Sequence, residues 1–205
     1  MSSKKFKLAV LVSGRGSNLQ AIIDSVEKST LAAEISLVLS NVKDAYALER
    51  GKKHGLEVVF LDPKVCPNKA AYEEKMIQLL QSKSVDLICL AGFMRILGKK
   101  FIEAFSGKII NIHPSLLPAF PGLNVQKKAL EHGVKFSGCT VHLVNEEIDG
   151  GPIIKQAVVR IHDEDSTESR SKRMLEQGHI IYPEAIQLII ENKIKFAGRR
   201  VLRKT

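Results

Sequence analysis

Short apolar runs in the first half of the chain alternate with longer stretches that carry apolar residues at helical spacing. The runs are rich in branched residues and bounded by Gly, Asn, Asp or Pro, which is typical of buried strands. They are Leu8–Val12, Ile35–Leu39, Val58–Leu61, Leu87–Leu90 and Ile109–Ile112. The helical stretches are Asn18–Lys28, Asp44–His54, Lys69–Ser82 and Lys99–Phe105. This alternation predicts parallel strands joined by right-handed crossovers and covered by helices.

The pattern changes after Pro121, where two further strands, Val141–Val144 and Pro152–Ile161, precede one long helix from about Ser166 to Asn192. Pro183 lies inside that helix and predicts a kink or a break. The expected class is α/β, with a Rossmann-like, mostly parallel twisted sheet and helices on both faces. The length of 205 residues fits a single domain, 1–205, in which residues 198–205 are expected to form a flexible basic tail.

The formal net charge is +9, from 31 Lys and Arg against 22 Asp and Glu. Such a surplus raises the local concentration of phosphates and carboxylates. The basic residues are scattered along the chain, aromatic residues make up only 5% of it and Trp is absent, so a base-stacking platform for nucleic acid is not expected. The charge is therefore interpreted as a solvated, lysine-rich surface that favours small anionic ligands.

Neither a membrane segment nor a cysteine cluster is expected. No apolar run approaches the roughly 20 residues of a membrane-spanning helix, and Leu8–Val12 is shorter than the roughly 7–15 residues of a secretory signal core. The three cysteines, Cys66, Cys89 and Cys139, are widely spaced and form no Cys-x-x-Cys pair. These features predict a cytoplasmic protein with reduced thiols and no metal site.

A glycine loop, Ser13-Gly14-Arg15-Gly16-Ser17-Asn18, follows the first strand and precedes a helix. Glycines let backbone N–H groups approach a ligand, and the helix N-terminus adds unpaired donors that suit a phosphate. A dinucleotide site would also need an acid at the end of the second strand, where the sequence has Ser40-Asn41. The loop therefore predicts a single phosphate; a ligand-free turn is the alternative.

Two polar residues, Asn111 and His113, end the otherwise apolar fifth strand before Pro114. Strand side chains alternate, so both point to the same side. In open α/β sheets ligands bind beyond the carboxyl ends of the strands, where an amide and an imidazole can stabilise an oxyanion. The alternative is a capping Asn beside a structural His.

An acidic loop, Glu146-Glu147-Ile148-Asp149-Gly150-Gly151-Pro152, separates the last two predicted strands. A carboxylate beside an imidazole would fix its tautomer, raise its pKa and favour its cationic form. The alternative is an ordinary acidic surface turn, because the sequence alone does not bring Asp149 to His113.

Four motifs occur in order: Ser13-Gly14-x-Gly16-Ser17-Asn18-Leu19-Gln20, Leu90-Ala91-Gly92-Phe93-Met94-Arg95, Asn111-Ile112-His113-Pro114-Ser115-Leu116-Leu117-Pro118 and Asp149-Gly150-Gly151-Pro152. Together they resemble the phosphoribosylglycinamide formyltransferase family of folate-dependent formyltransferases. The similarity extends from Leu8 to Ile190.

The resemblance implies direct transfer of the formyl group of 10-formyltetrahydrofolate to the amino group of 5-phosphoribosylglycinamide in purine biosynthesis, without a metal. It places phosphate binding in the amino-terminal half, at Gly16, Ser17 and Asn18. The carboxy-terminal half would bind folate and hold the catalytic residues Asn111, His113 and Asp149, with protonated His113 and Asn111 stabilising the oxyanion and Asp149 supporting the imidazolium. The implied folate-binding residues are Lys69, Met94, Arg95, Ile96, Leu97, Asn111, Asn145, Glu146, Glu147, Ile148 and Asp149.

The resemblance further implies small-molecule substrates, no nucleic-acid or membrane partner, and a monomer or homodimer. His142 is in a matching position and would lie nearby. Two positions depart from the family pattern. Gly178 replaces a Glu that contacts the substrate's amino end, so either a neighbour such as Glu176 supplies that contact or substrate binding is weaker than in the family. Lys69 replaces an Arg, which keeps the charge but loses a planar, bidentate contact.

Other interpretations stay open. The formyltetrahydrofolate hydrolase and the transferases that act on charged tRNA or an amino sugar share part of the resemblance. The hydrolase carries an additional amino-terminal domain and the tRNA enzyme a carboxy-terminal barrel, so the length of 205 residues favours the glycinamide branch. A non-catalytic phosphate- or nucleic-acid-binding module would suit the charge, and a dehydrogenase is the least favoured.

Overall fold

The structure, a computed structural model, describes residues 5–204. The strands are Phe6–Val12 (β1), Ala33–Ser40 (β2), Val58–Phe60 (β3), Leu87–Leu90 (β4), Ile109–His113 (β5), Phe136–Leu143 (β6), Ile153–Arg160 (β7), Ile194–Ala197 (β8) and Arg200–Arg203 (β9). The α-helices are Ser17–Glu27 (α1), Tyr46–Lys53 (α2), Lys69–Ser82 (α3), Lys99–Ala104 (α4), Val125–Glu131 (α5) and Thr167–Ile190 (α6).

Seven of these strands form one sheet in the order β3-β2-β1-β4-β5-β6-β7. β1 pairs in parallel with β2 and β4, and β2 with β3, whereas β6 and β7 are antiparallel. The predicted α/β class with a mostly parallel sheet is therefore confirmed. The chain divides into two compact units between Ile110 and Asn111, inside β5.

In the first unit β1 lies between β2 and β4, and Leu8–Val12 is completely buried. A strand covered on both faces must be apolar at every position, which explains the continuous run in the sequence. Ser13 follows β1 directly, Asn41 follows β2 and Ala91 follows β4. Because these strands are parallel, the loops that begin at these residues leave the same edge of the sheet.

In the second unit α6 packs against β6 and β7. The helix continues through Pro183, so the break that Pro183 could have produced does not occur. Burial of Tyr182, Ala185 and Ile186 around the proline offsets its cost of about 3 kcal/mol or more. Among residues 5–204, no helix has both the length and the apolar character that a membrane crossing requires.

Three features of the second unit differ from the sequence-based expectation. β6 begins at Phe136 rather than Val141. The sequence pattern missed its first half because polar residues and a glycine interrupt the apolar residues there. The short helix α5 was not predicted; it follows Asn124, whose φ of 59° is left-handed. Residues 200–203, expected in a flexible tail, form β9, which pairs antiparallel with β8.

Candidate active site

The carboxyl end of β5 carries Asn111 and His113, and the structure brings Asp149 to them. Oδ2 of Asp149 lies 3.3 Å from Nδ1 of His113. Its other oxygen, Oδ1, lies 3.5 Å from Nδ2 of Asn111. His113 is 5% exposed, and the Asp149 side chain is 12% exposed. The three residues that the family resemblance implies as catalytic therefore form one largely buried cluster.

His142, on the neighbouring strand β6, completes this cluster. Its Nε2 lies 3.2 Å from Nδ2 of Asn111 and 3.5 Å from Oδ1 of Asp149. Its Nδ1 donates to the Leu143 carbonyl at 3.0 Å, which fixes the orientation of the ring. His142 thus contacts both the amide and the carboxylate, so it orients the two groups on either side of it.

The loop that carries Asp149 contains two glycines, of which only Gly151 lies against neighbouring backbone. A Cβ on Gly151 would overlap the carbonyl oxygen of Leu143, and one on Gly150 would overlap the Glu147 side chain. Asp149 itself has a left-handed φ of 52°, a conformation that Asp tolerates better than most residues. The Gly122 amide donates to Oδ2 of Asp149 at 2.8 Å and fixes the direction of the carboxylate.

Asp149 remains ionised at neutral pH. Burial raises the pKa of this carboxyl, but contacts with the His142 ring and the Gly122 amide, together with the charge on His113, lower it more. The net pKa lies below the usual range of an aspartate. A fixed negative charge therefore stands beside the His113 ring.

The pKa of His113 differs in direction from the sequence-based expectation. Burial lowers the pKa of the ring, because a charged imidazolium is poorly solvated there. The Phe120 carbonyl and the Asp149 carboxylate raise it, but burial is the larger effect. The expected effect of Asp149 is present, since its carboxylate raises the pKa of the His113 ring and favours the cationic form. The net pKa of His113 nevertheless lies below the usual value, because of the burial that the sequence-based expectation did not include.

Both ring nitrogens of His113 face oxygen acceptors. Nδ1 faces Asp149, and Nε2 donates to the carbonyl oxygen of Phe120 at 2.9 Å. Phe120 belongs to the loop 114–124, which Ser115 and Thr140 anchor through a 2.7 Å hydrogen bond from the Thr140 hydroxyl to the Ser115 carbonyl. The Phe120 carbonyl occupies the acceptor position at Nε2, so a ligand oxygen that takes a full hydrogen bond from Nε2 replaces this carbonyl.

The glycine loop of the first unit is held from α2. The Ala47 amide donates to the Gly14 carbonyl at 3.0 Å, and Nε of Arg50 donates to the Arg15 carbonyl at 2.9 Å. Gly16 has a left-handed φ of 71°, and a Cβ there would lie 2.6 Å from Cβ of Ala47. Glycine is therefore required at 16, and α1 begins directly after it, at Ser17. The first amides of an α-helix have no partner within the helix, and the predicted phosphate site at Gly16, Ser17 and Asn18 lies at this helix start.

The implied folate-binding residues of the first unit lie in two places. Met94 and Ile96 are exposed at 69% and 65% in the loop after β4, whereas Leu97 is buried. The Arg95 guanidinium lies 5.0 Å from the ring centroid of Tyr72. Lys69 is the first residue of α3, with Nζ 3.6 Å from Oε1 of Glu73. Exposed apolar side chains at a sheet edge are typical of a ligand-binding surface.

In the second unit the segment Asn145–Ile148 is exposed and leads directly into Asp149. The Glu147 amide donates to Oδ1 of Asn145 at 3.2 Å, and Arg199 contacts Glu147 at 3.2 Å. Gly178 is buried in α6, whereas Glu176 is exposed. Residues two apart on a helix point to nearly opposite sides, so Glu176 and Gly178 lie on different sides of α6.

Sequence reasoning missed the Phe120 carbonyl and the Gly122 amide. Both are backbone groups, so no residue type could signal them. His142 was noticed only by resemblance, because its polar side chain shortens the apolar pattern of β6. Within residues 5–204 no group of three or more His, Cys, Asp or Glu side chains is arranged to hold a metal ion.

Residues 6–186 match the model of the formyl transferase family, which covers most of the chain. The chain belongs to the formyl transferase family. It is 47% identical, over 190 residues, to the phosphoribosylglycinamide formyltransferase of Haemophilus influenzae, covering 92% of this chain and 89% of that one.

A solved formyl transferase structure agrees with the fold. The structure of glycinamide ribonucleotide transformylase 1 from Symbiobacterium toebii has a TM-score of 0.97 at 44% identity, covering 100% of this chain and 96% of that chain. The trifunctional purine biosynthetic protein adenosine-3 of Gallus gallus is 43% identical over 95% of this chain, which spans only 19% of that longer relative.

Proposed function

We propose that this formyl transferase transfers the formyl group of 10-formyltetrahydrofolate to the amino group of 5-phosphoribosylglycinamide in purine biosynthesis. The observation that carries the proposal is the 3.3 Å approach of Asp149 to His113 at the end of β5. The 47% identity to the phosphoribosylglycinamide formyltransferase of Haemophilus influenzae, over 89% of that relative, supports the choice of substrates.

The amine nitrogen attacks the formyl carbon, and the electron pair of the carbonyl bond moves to oxygen. Nδ2 of Asn111 and Nε2 of His113 stabilise this oxyanion, the latter after the formyl oxygen replaces the Phe120 carbonyl. The oxyanion pair then reforms the carbonyl, the bond to N10 breaks, and N10 takes up a proton in place of the one that the amine loses. Burial lowers the pKa of His113, and the Asp149 carboxylate offsets part of this decrease. The ring can therefore carry positive charge more easily when negative charge develops on the formyl oxygen.

The substrate phosphate is assigned to Gly16, Ser17 and Asn18, at the start of α1. The formyl donor is assigned to Lys69 and Met94–Leu97 in the first unit and to Asn145–Asp149 in the second. The proposal also includes a cytoplasmic location, small molecules as the ligands, no nucleic-acid or membrane partner, and a monomer or homodimer.

Turnover that depends on the acceptor tests this function. Purified protein is mixed with 10-formyltetrahydrofolate, with and without 5-phosphoribosylglycinamide, and loss of the formyl group is followed spectroscopically. Deformylation that requires the ribonucleotide supports the transferase. Equal deformylation without it contradicts the transferase and identifies a hydrolase.

A further inference from the structure

The segment 92–98, called here the folate loop, is tied to the rest of the first unit at three points. The Ser13 amide donates to the Gly92 carbonyl at 3.1 Å, and the Met94 amide donates to the Ser13 hydroxyl at 2.8 Å. Arg95 stacks on Tyr72. At the far end, the Gly98 amide donates to Oε1 of Glu73 at 2.8 Å. The loop is therefore held at both ends and in the middle.

Glu73 is the least expected of these partners, because it is a carboxylate on α3 that is only 6% exposed. Burying a carboxylate is costly unless it is paired and hydrogen-bonded. Oε1 of Glu73 satisfies that condition twice, through the Gly98 amide and through Nζ of Lys69 at 3.6 Å. One buried group thus contacts both the folate loop and a residue assigned to the folate side.

The fit between Glu73 and the loop is close. A Cβ on Gly98 would lie 2.5 Å from Oε2 and 3.3 Å from Cδ of Glu73. The φ of Gly98 is −83°, so backbone strain does not require glycine there. The Glu73 carboxylate occupies the space of a side chain at 98, so any larger residue there must displace it.

We propose that Glu73 is a positioning residue for binding of the formyl donor. Its carboxylate fixes the carboxyl end of the folate loop through Gly98 and orients the Lys69 ammonium. The exposed side chains of Met94 and Ile96 then form a surface that is already ordered before the folate binds. This inference rests on the proposed function, since it assigns Glu73 to the folate side of that site.

Without the carboxylate, the loop must be ordered when the folate binds, and that entropy cost weakens binding. Glu73→Ala removes the hydrogen bond from the Gly98 amide to the charged carboxylate. We therefore expect this variant to raise the KM for 10-formyltetrahydrofolate about tenfold or more. Glu73 touches neither the reacting atoms nor the phosphate loop, so kcat and the KM for the ribonucleotide should change less than about twofold. Glu73→Gln keeps an acceptor for Gly98 and should restore most of the affinity.

Two further variants make the test specific. Gly98→Ala pushes the carboxylate away without altering it, and should reproduce the rise in KM. Glu74→Ala is the matched control, because half-buried Glu74 also links α3 to α4, through Lys100 at 2.6 Å, but no contact with the folate loop is found among the described residues. Glu74→Ala should leave all kinetic constants unchanged. Circular dichroism and thermal unfolding identify any variant that fails to fold.

Binding of tetrahydrofolate itself, measured by calorimetry, separates this inference from the proposed function. Weaker tetrahydrofolate binding by Gly98→Ala and by Glu73→Ala, with Glu73→Gln close to wild type, supports the inference even if the wild type does not use the ribonucleotide. The inference is wrong if folded Gly98→Ala and Glu73→Ala both bind tetrahydrofolate as tightly as wild type, or if their kcat falls with KM unchanged. The transferase activity stands in either case.

Discussion

Asp149 and His113 are 36 residues apart in the chain, yet Oδ2 of Asp149 lies 3.3 Å from Nδ1 of His113. The same oxygen accepts the Gly122 amide at 2.8 Å. One carboxylate oxygen therefore connects the imidazole to the loop that follows β5. Any change at Asp149 should act on the charge of His113 and on the position of that loop together.

Removing either member of this pair should reduce turnover strongly without unfolding the protein. We expect His113→Ala and Asp149→Asn each to lower kcat about 10²-fold or more, the usual cost of losing one oxyanion donor or its support. Asn has nearly the shape of Asp and tolerates a left-handed φ, so Asp149→Asn removes mainly the charge. Steady-state kinetics measure the loss, and circular dichroism is the control. Near-normal turnover of either variant would rule out the assigned roles.

His113 should make the protein sensitive to acid. Burial lowers the pKa of the folded-state ring below the unfolded value of about 6.5, so the unfolded chain binds this proton more tightly. The neutral His113 ring therefore makes its full contribution to stability above the pKa that it has in the unfolded chain. This contribution is lost as the pH falls toward the lower pKa of the folded protein.

Denaturant unfolding between about pH 7.5 and about pH 5 tests this direction. The free energy of unfolding of the wild type should fall more steeply on acidification than that of His113→Asn. His162→Asn, at an exposed histidine, should follow the wild type. Parallel curves for wild type and His113→Asn would show that burial does not disfavour the charged ring.

Arg170 on α6 is a buried cation that forms no salt bridge within residues 5–204, although the charge of Asp165 acts on it and partly offsets the cost of burial. Its exposure is 0%, and its Nε and Nη1 have no hydrogen-bond partner within the described part of the chain, while Nη2 donates to the Gln126 carbonyl. Burial lowers the pKa of this guanidinium. Replacing a poorly compensated buried charge by an apolar side chain of similar volume often stabilises a protein by about 1–4 kcal/mol.

We therefore expect Arg170→Met to raise the free energy of unfolding. Arg173→Met is the contrasting variant, because Arg173 pairs with Asp165, whose side chain is only 5% exposed. Its removal leaves a buried carboxylate unpaired and should destabilise the protein. Chemical denaturation compares the two. Destabilisation by Arg170→Met as large as that by Arg173→Met would contradict this interpretation of Arg170.

The sequence predicts the first unit well, because strands that are buried on both faces are continuously apolar and the helices between them are amphipathic. The bounds of α3 agree at both ends, and those of α1 and β3 within one residue. β6 and the β8–β9 hairpin are harder, because β6 carries Gly138, Thr140 and His142 among its apolar residues and the hairpin is mostly exposed.

The candidate active site likewise has some features that the sequence predicts and others that it does not. Strand alternation places Asn111 and His113 together, but only the family resemblance brought Asp149 to them. Once Asp149 is placed beside His113, its carboxylate is expected to raise the pKa of the ring, but the sequence does not show the burial that lowers this pKa more. The contacts from Phe120 and Gly122 come from the backbone, which carries no residue signature.

The central claim is that Asp149 acts through His113 on the oxyanion. A double-mutant cycle in kcat/KM, with Asp149→Asn, His113→Asn and the double variant in the ribonucleotide-dependent assay, tests it most directly. If the two residues act as one unit, the double variant should be no more than about threefold slower than the slower single variant. A double variant whose loss equals the product of the two single losses would contradict the claim.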